Sequence, residues 1–297
     1  MIKFIKTELK DITEFKKYLP NDNAVSCDGT VGGIFMWFDE FNTYHAVIND
    51  TLIQKITVSG EDMFAPPCGK DVTGAVFEIY SYCRQNGIPC KFYGATDNFI
   101  EIIAESFEIS KEYERDICDY VYHSSDLMSF SGKKYHGQKN HLNAFKKLYS
   151  EAYAKKTDSS DIEAVKAFME KYKASAHKSS EAFLKEITSV ERVLENFSLY
   201  GFEGLAVYYN GEVISFTAGE VIGDTMYAHI EKALPEYRGL YQYTVSEFSS
   251  LSSQMGAVYI NREDDTGDEG LRTSKLAYKP CKLVDKYTVT IKGVKEK

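Results

Sequence analysis

The chain has 297 residues, 43% of them hydrophobic, and a net charge of −9. That length fits two domains of about 150 residues, each with its own core. The negative balance argues against a general polyanion or DNA binder, which is usually basic. No apolar run approaches the ~18–20 residues of a membrane span, so no integral membrane segment is expected. The N-terminal MIKFIKTELKD lacks the apolar core of a signal peptide. The six cysteines include no C-x-x-C pair. Neither a zinc site nor a disulfide framework is indicated, and reduced thiols in a cytoplasmic protein are expected. Tyrosine is frequent, 22 residues against one tryptophan, which suits wet clefts as well as cores.

Residues 75–107, AVFEIYSYCRQNGIPCKFYGATDNFIEIIAESF, read as helix, Gly87, strand, a polar turn with Asp97, and helix. An alternating strand, CDYVYH, follows at 118–123. Next comes a basic stretch. Lys133, Lys134, Lys139, Lys146 and Lys147, with His136 and His141, fall in fifteen residues that contain no acid. This island could hold the phosphates of a tRNA acceptor end, a phosphorylated small molecule or a lipid head group. Lys133, Lys134, His136 and Lys139 are the candidate binding residues. The alternative is a solvated helix face over a stripe of Leu142, Phe145, Leu148 and Ala152.

The second half is clearer. SSDIEAVKAFMEKYKAS (159–175) predicts a helix opened by a Ser160–Glu163 capping box, and 180–197 predicts another. Residues 204–233 predict three strands joined at Asn210–Gly211 and Gly223–Asp224. A helix at 239–254, a strand at 256–261, a helix at 268–277 and a strand at 284–291 follow. The order helix, glycine, strand, acidic turn, helix thus recurs, with Gly256 in the place of Gly87. Matched order at one offset suggests duplicated domains, 1–138 and 139–297, the second carrying the active site.

The second-half order α-α-β-β-β-α-β-α-β resembles the GNAT acyltransferase fold. The expected class is therefore α/β (α+β), with tandem GNAT-like domains and mixed central sheets flanked by helices. Two segments, DYVYHSSDLMSFSGKKYHGQKNHLNAF (119–145) and YINREDDTGDEGLRTSKLAYKPCKLVDKYTV (259–289), resemble a bacterial family. Its members are similar to the C-terminal domain of phosphatidylglycerol lysyltransferase. Better-known relatives are the aminoacyl-phosphatidylglycerol synthases and the Fem-type aminoacyltransferases. The resemblance implies transfer of an aminoacyl group, with aminoacyl-tRNA as co-substrate, to an amine or hydroxyl. It also implies an acid and an arginine three apart in the active site, here Glu269 and Arg272, and Tyr278 as the acid for the leaving oxygen.

A CoA-binding GNAT has small residues in the turn after its fourth strand. Arg238-Gly239-Leu240-Tyr241-Gln242-Tyr243 stands there instead, so acetyl-CoA is disfavoured. In MYAHIEKA, alternation puts His229 and Glu231 on one face, Glu231 as a general base and His229 as its helper or substitute. Backbone N–H groups of 225–231 would then stabilise the oxyanion. INREDDTGDEGLR (260–272) packs Glu263, Asp264, Asp265, Asp268 and Glu269 between Arg262 and Arg272. Asn261, Arg262, Glu263, Asp264 and Asp265 are read as a substrate-binding acidic rim, and Asp268 and Glu269 also suit a helix start. Two other readings stay open: a non-catalytic scaffold that grips a phosphorylated ligand or RNA, and a CoA-dependent N-acetyltransferase.

Overall fold

The computed structural model describes residues 2–20, 26–175 and 180–296. Chain contacts group these into two compact units. The first holds residues up to Asp119 together with Asp264–Gly267 and Leu283–Lys297. The second holds Tyr120–Glu263 and Asp268–Lys282. The division differs from 1–138 and 139–297: residues 120–138 fall in the second unit, and 264–267 and 283–297 in the first.

The first unit opens with β1 (Ile5–Lys6), two short helices, α1 (Ile12–Phe15) and α2 (Val31–Phe35), and β2 (Tyr44–Ile48). Strands β3 (Thr51–Val58) and β4 (Glu61–Gly69) precede helix α3 (Val72–Asn86). That helix starts where the Asp71 carboxylate accepts from the Gly74 amide at 2.9 Å. It ends at Gly87, whose φ of 65° suits a residue without Cβ. Its inner face, Ala75, Val76, Ile79 and Cys83, packs with Phe64, Phe92 and Val289 in one apolar core. Strand β5 (Lys91–Ala95), helix α4 (Asp97–Ala104) and β6 (Phe107–Tyr113) follow.

Next come β7 (Asp119–His123), α5 (Ser124–Ser129), α6 (His136–Leu148) and β8 (Tyr153–Thr157). Helices α7 (Ile162–Ser175), α8 (Glu181–Glu195) and α9 (Phe197–Tyr200) lead into the strands β9 (Glu203–Tyr209), β10 (Glu212–Ile222) and β11 (Thr225–Ala233). The expected capping box does not form. Ser160 is bonded to Asp158, Glu163 pairs with Lys166, and the helix starts at Ile162. Helix α10 (Leu240–Gln254), β12 (Tyr259–Asn261), α11 (Glu269–Ala277), β13 (Lys282–Val284) and β14 (Tyr287–Val294) complete the chain.

The two sheets share one plan. The first runs β1-β2-β3-β4-β5-β14-β6 and the second β8-β9-β10-β11-β12-β7-β13. In each, four antiparallel strands meet a fifth in parallel, β4 with β5 and β11 with β12, across helix α3 or α10. The sixth strand is antiparallel again: β14 on β5, and β7 on β12. The strand that follows the first copy in sequence thus lies in the second sheet, and the final strand lies in the first.

The β10–β11 hairpin carries a bulge. Pairing runs regularly from Ile222↔Thr225 to Gly219↔Ala228, then resumes at Ala218↔Ile230, leaving His229 as the extra residue. Gly219 permits this approach, since a Cβ there would sit 1.9 Å from the Tyr227 carbonyl oxygen. Gly219→Ala is expected to lower stability by at least ~2 kcal/mol, read as a shift of the urea midpoint. Gly137→Ala, on the open face of α6 where a Cβ meets nothing within 4 Å, is expected to raise it by up to ~1 kcal/mol.

Candidate active site

The bulge sorts charged residues onto two faces of the second sheet. On one face Glu231 holds Arg262, which leaves the carboxyl end of β12. The guanidinium grips the carboxylate sideways, Nε to Oε2 at 2.9 Å and Nη2 to Oε2 at 2.9 Å. Arg262 is only 8% exposed. Its Cζ lies 4.5 Å from the Tyr278 ring centroid and 5.6 Å from that of Tyr122, within cation–π range. Burial disfavours the arginine charge, but Glu231 outweighs burial and the guanidinium is held above its ordinary range. Burial pushes the Tyr278 phenol up, against the pull of Arg262. The phenol therefore stays protonated at neutral pH and is able to donate. Lys275 ties the segment down by donating to the Arg262 carbonyl at 2.5 Å.

On the other face His229 sits between two carboxylates. Its Nδ1 is 2.7 Å from Glu263 and its Nε2 is 3.0 Å from Glu220. The ring stacks on Phe202, with centroids 5.1 Å apart. Burial alone would lower its pKa, but the hydrogen bonds and charge of Glu220 and Glu263 outweigh that and raise it to about 9. Glu263 adopts φ 58°, rare for a residue with a side chain. Asn261 supports it by accepting the Glu263 amide at 2.8 Å.

These contacts correct two expectations. His229 and Glu231 do not share a face, because the bulge adds one residue between them and period-2 alternation fails there. Both His229 ring nitrogens are engaged by carboxylates, which favour the charged imidazole. The acids of 263–269 also do not form one wall. Glu263 binds His229. Asp264 lies in the first unit, where its charge favours the Lys286 ammonium. Asp265 is fully buried, 3.3 Å from Arg115 and 3.0 Å from the Gly267 amide. Asp268 caps α11 by accepting the Leu271 amide at 2.7 Å. Glu269 reaches Arg272 at 3.3 Å, but its side chain is 82% exposed against 20% for the arginine. The acids face different partners, so they do not share one cation.

In the basic stretch, Lys134 pairs with Asp126 at 3.0 Å and Lys139 donates to the Ser129 carbonyl at 2.7 Å. Lys133 and His136 are exposed where α6 begins. The turn before α10 is closed. A Cβ on Gly239, which has φ 83°, would lie 2.1 Å from the His141 carbonyl oxygen. Tyr243 is buried and stacks on Phe145 of α6 at 4.6 Å.

The sequence reading missed three features. Glu220 and Tyr122 complete the two charged clusters. In the first unit a fully buried Lys286 ammonium lies 2.7 Å from Asp119, 2.6 Å from Asp28 and 3.5 Å from the Cys27 sulfur. No local pattern announces it, because its members come from three distant segments. Among the described residues none of the six cysteines is in a disulfide. Among the described residues no group of side chains has the makeup of a metal site, and no helix is long and apolar enough to cross a membrane.

The family model described as phosphatidylglycerol lysyltransferase, C-terminal, matches residues 23–290. The chain belongs to this family. A conserved protein of unknown function from Bacteroides thetaiotaomicron VPI-5482 is similar throughout. It is 26% identical, with 98% of this chain and 100% of that chain covered at a TM-score of 0.88. L-PGS from Bacillus licheniformis is 14% identical, with 97% of this chain and 93% of that chain covered at a TM-score of 0.69. An uncharacterised protein from Mycoplasmoides gallisepticum is 27% identical over 179 residues, 58% of this chain and 56% of that protein. The chain thus matches little more than half the length of that curated relative. Two mixed sheets flanked by helices, as in this family, also occur in FemX and in GNAT acetyltransferases.

The His229 clamp has a pH signature. Its pKa is about 9 in the fold against 6.5 when free. A raised value stabilises the fold fully below about pH 6.5, and that stability is lost as pH rises through about 9. The difference corresponds to roughly 3 kcal/mol. Urea unfolding of the wild type and His229→Gln at pH 6.5 and 9.5 should show it. The wild type is expected to lose about 3 kcal/mol more than the variant over that interval.

Proposed function

We propose that this chain is an aminoacyltransferase that works at the Glu231–Arg262–Tyr278 cluster of the second unit. It would move an aminoacyl group from an activated ester such as aminoacyl-tRNA to an amine or hydroxyl acceptor. The observation that carries the reading is the buried arginine, fixed by a carboxylate and roofed by a protonated tyrosine. It stands at the carboxyl end of β12, where α/β sheets tend to place chemistry. Family membership and the shared fold support the reaction class.

In this reading the acceptor attacks the ester carbonyl carbon, and a tetrahedral intermediate forms. Glu231 takes the proton the acceptor loses, and Tyr278 protonates the oxygen that leaves with the tRNA ribose. Glu231 has a second role, since its fork holds Arg262 in one orientation. Exposed Lys133 and His136 suit phosphates of the donor, while Lys134 and Lys139 already have protein partners. Glu269 of α11 is exposed and pairs with Arg272, so it would be open to a cationic group. His229, Asn261 and Glu263 position the segment that presents Arg262. Acetyl-CoA is a poor fit as donor, since Gly239 abuts α6 and Tyr243 fills the turn where a pyrophosphate would lie.

The test is a transfer assay. Purified protein is mixed with tRNA charged with a labelled amino acid and with phosphatidylglycerol vesicles or a soluble amine. Label is expected in the acceptor only when it arrives on tRNA. Arg262→Lys keeps the charge and loses the fork, so it should lower turnover at least about a hundredfold, or ~2.7 kcal/mol in the barrier. Transfer from acetyl-CoA with none from any aminoacyl-tRNA would sink this reading.

A further inference from the structure

Among the described residues, three buried side-chain polar atoms have no hydrogen-bond partner: Thr157 Oγ1, Thr217 Oγ1 and Arg262 Nη1. Two of the three converge on Glu231. Thr217 is the cross-strand partner of Glu231, and such partners share a face of the sheet. Arg262 reaches the same carboxylate through Nε and Nη2. That fork leaves Nη1 at the far edge of the guanidinium, with its hydrogens unspent. Thr217 is fully buried.

A buried donor without a partner destabilises a fold, so each one needs a reason. The same face shows that the fold can satisfy a hydroxyl when nothing else is required. Ser215, two residues before Thr217, donates to the Lys232 carbonyl at 2.8 Å and meets Thr244 of α10 at 2.7 Å. Thr157 stands apart on β8, opposite Gly204, with no second orphan beside it, and it supports nothing further.

We propose that Arg262 Nη1 and Thr217 Oγ1 are the paired donors for the carbonyl oxygen of an ester or amide, and so for the oxyanion it becomes. This rests on the transferase reading above and names its substrate group. The charge balance selects the ligand class. Glu231 already neutralises Arg262, so a free carboxylate or a phosphate would bring a second negative charge into a buried site. A neutral ester or amide carbonyl brings only a dipole. When the acceptor attacks, the carbonyl π pair moves onto that oxygen, and the two donors meet the charge as it develops. When the ester C–O bond breaks, the pair returns and the carbonyl re-forms. Donors fixed before the reaction stabilise the transition state more than the ground state. Arg262 and Thr217 are therefore catalytic residues here, and the bulge that pairs Thr217 with Glu231 is what brings them together.

Thr217→Val tests the idea, because valine keeps the shape and removes the hydroxyl. The unfolding midpoint is expected to stay the same or rise, since a buried orphan has been deleted. Turnover in the transfer assay should fall at least tenfold with little change in KM. Calorimetry gives an arm that needs no turnover. An amino acid amide should bind the wild type at least tenfold more tightly than the same amino acid with a free carboxylate, and Thr217→Val should erase most of that preference. A variant of full activity with an unchanged amide preference overturns the proposal. So does tighter binding of the free acid or of inorganic phosphate, an absence of any amide binding, or a lowered unfolding midpoint in Thr217→Val. If the wild type transfers no aminoacyl group but shows the amide preference and loses it in Thr217→Val, the transferase reading fails and the carbonyl site stands.

Discussion

One extra residue in β11 governs the chemistry of the second unit. Because His229 has no cross-strand partner, every residue beyond it changes its neighbour on β10 by one position. A slip of one residue exchanges the two faces of a strand. Here the exchange is local and held by Gly219, the only residue type that can lie so near the Tyr227 carbonyl. Arg262 and Glu263, just beyond β12, reach opposite faces as well. Each then finds its own partner across β11: Arg262 meets Glu231, and Glu263 meets His229.

Three of the buried cations anchor the clusters described above, and each is matched by carboxylates. Arg262 has Glu231, His229 has Glu220 and Glu263, and Lys286 has Asp28 and Asp119. Removing a charge from water costs several kcal/mol, and a partner recovers that only with good geometry. Set against apolar groups of the same shape such pairs add little net stability, yet breaking one leaves an uncompensated charge. They therefore fix conformation. The strained Glu263 backbone is held by Asn261 from within its own segment and by His229 from β11. That segment presents Arg262 in one orientation, fixed by Glu231.

The topology joins the two halves of the sequence. Each sheet has four antiparallel strands, a parallel crossover through one helix, and an antiparallel sixth strand. The sixth strand of each comes from the other end of the sequence pattern: β7 follows the first copy but pairs with β12, and β14 follows the second but pairs with β5. A strand needs only an open edge and a matching apolar face, and neither depends on where it lies in the chain.

Local chemistry determined much by itself. Helical spacing and glycines placed α3 and α10, and Asn210–Gly211 and Gly223–Asp224 placed the hairpins. Segment resemblance gave the family, and Glu231, Arg262 and Tyr278 were all legible as candidates. These features depend on residues close in sequence. Three things lay beyond that range. Counting back from the Gly223–Asp224 turn pairs Glu231 with Phe216, and only the bulge moves Thr217 into that place. The acids of 263–269 look like one cluster in sequence, but a left-handed Glu263 and the turn after it send them to different partners. The ends of the two copies look equivalent, yet their strands exchange sheets. In each case the outcome was set by which distant backbone or charge came within hydrogen-bond reach, and spacing along a chain carries no record of that.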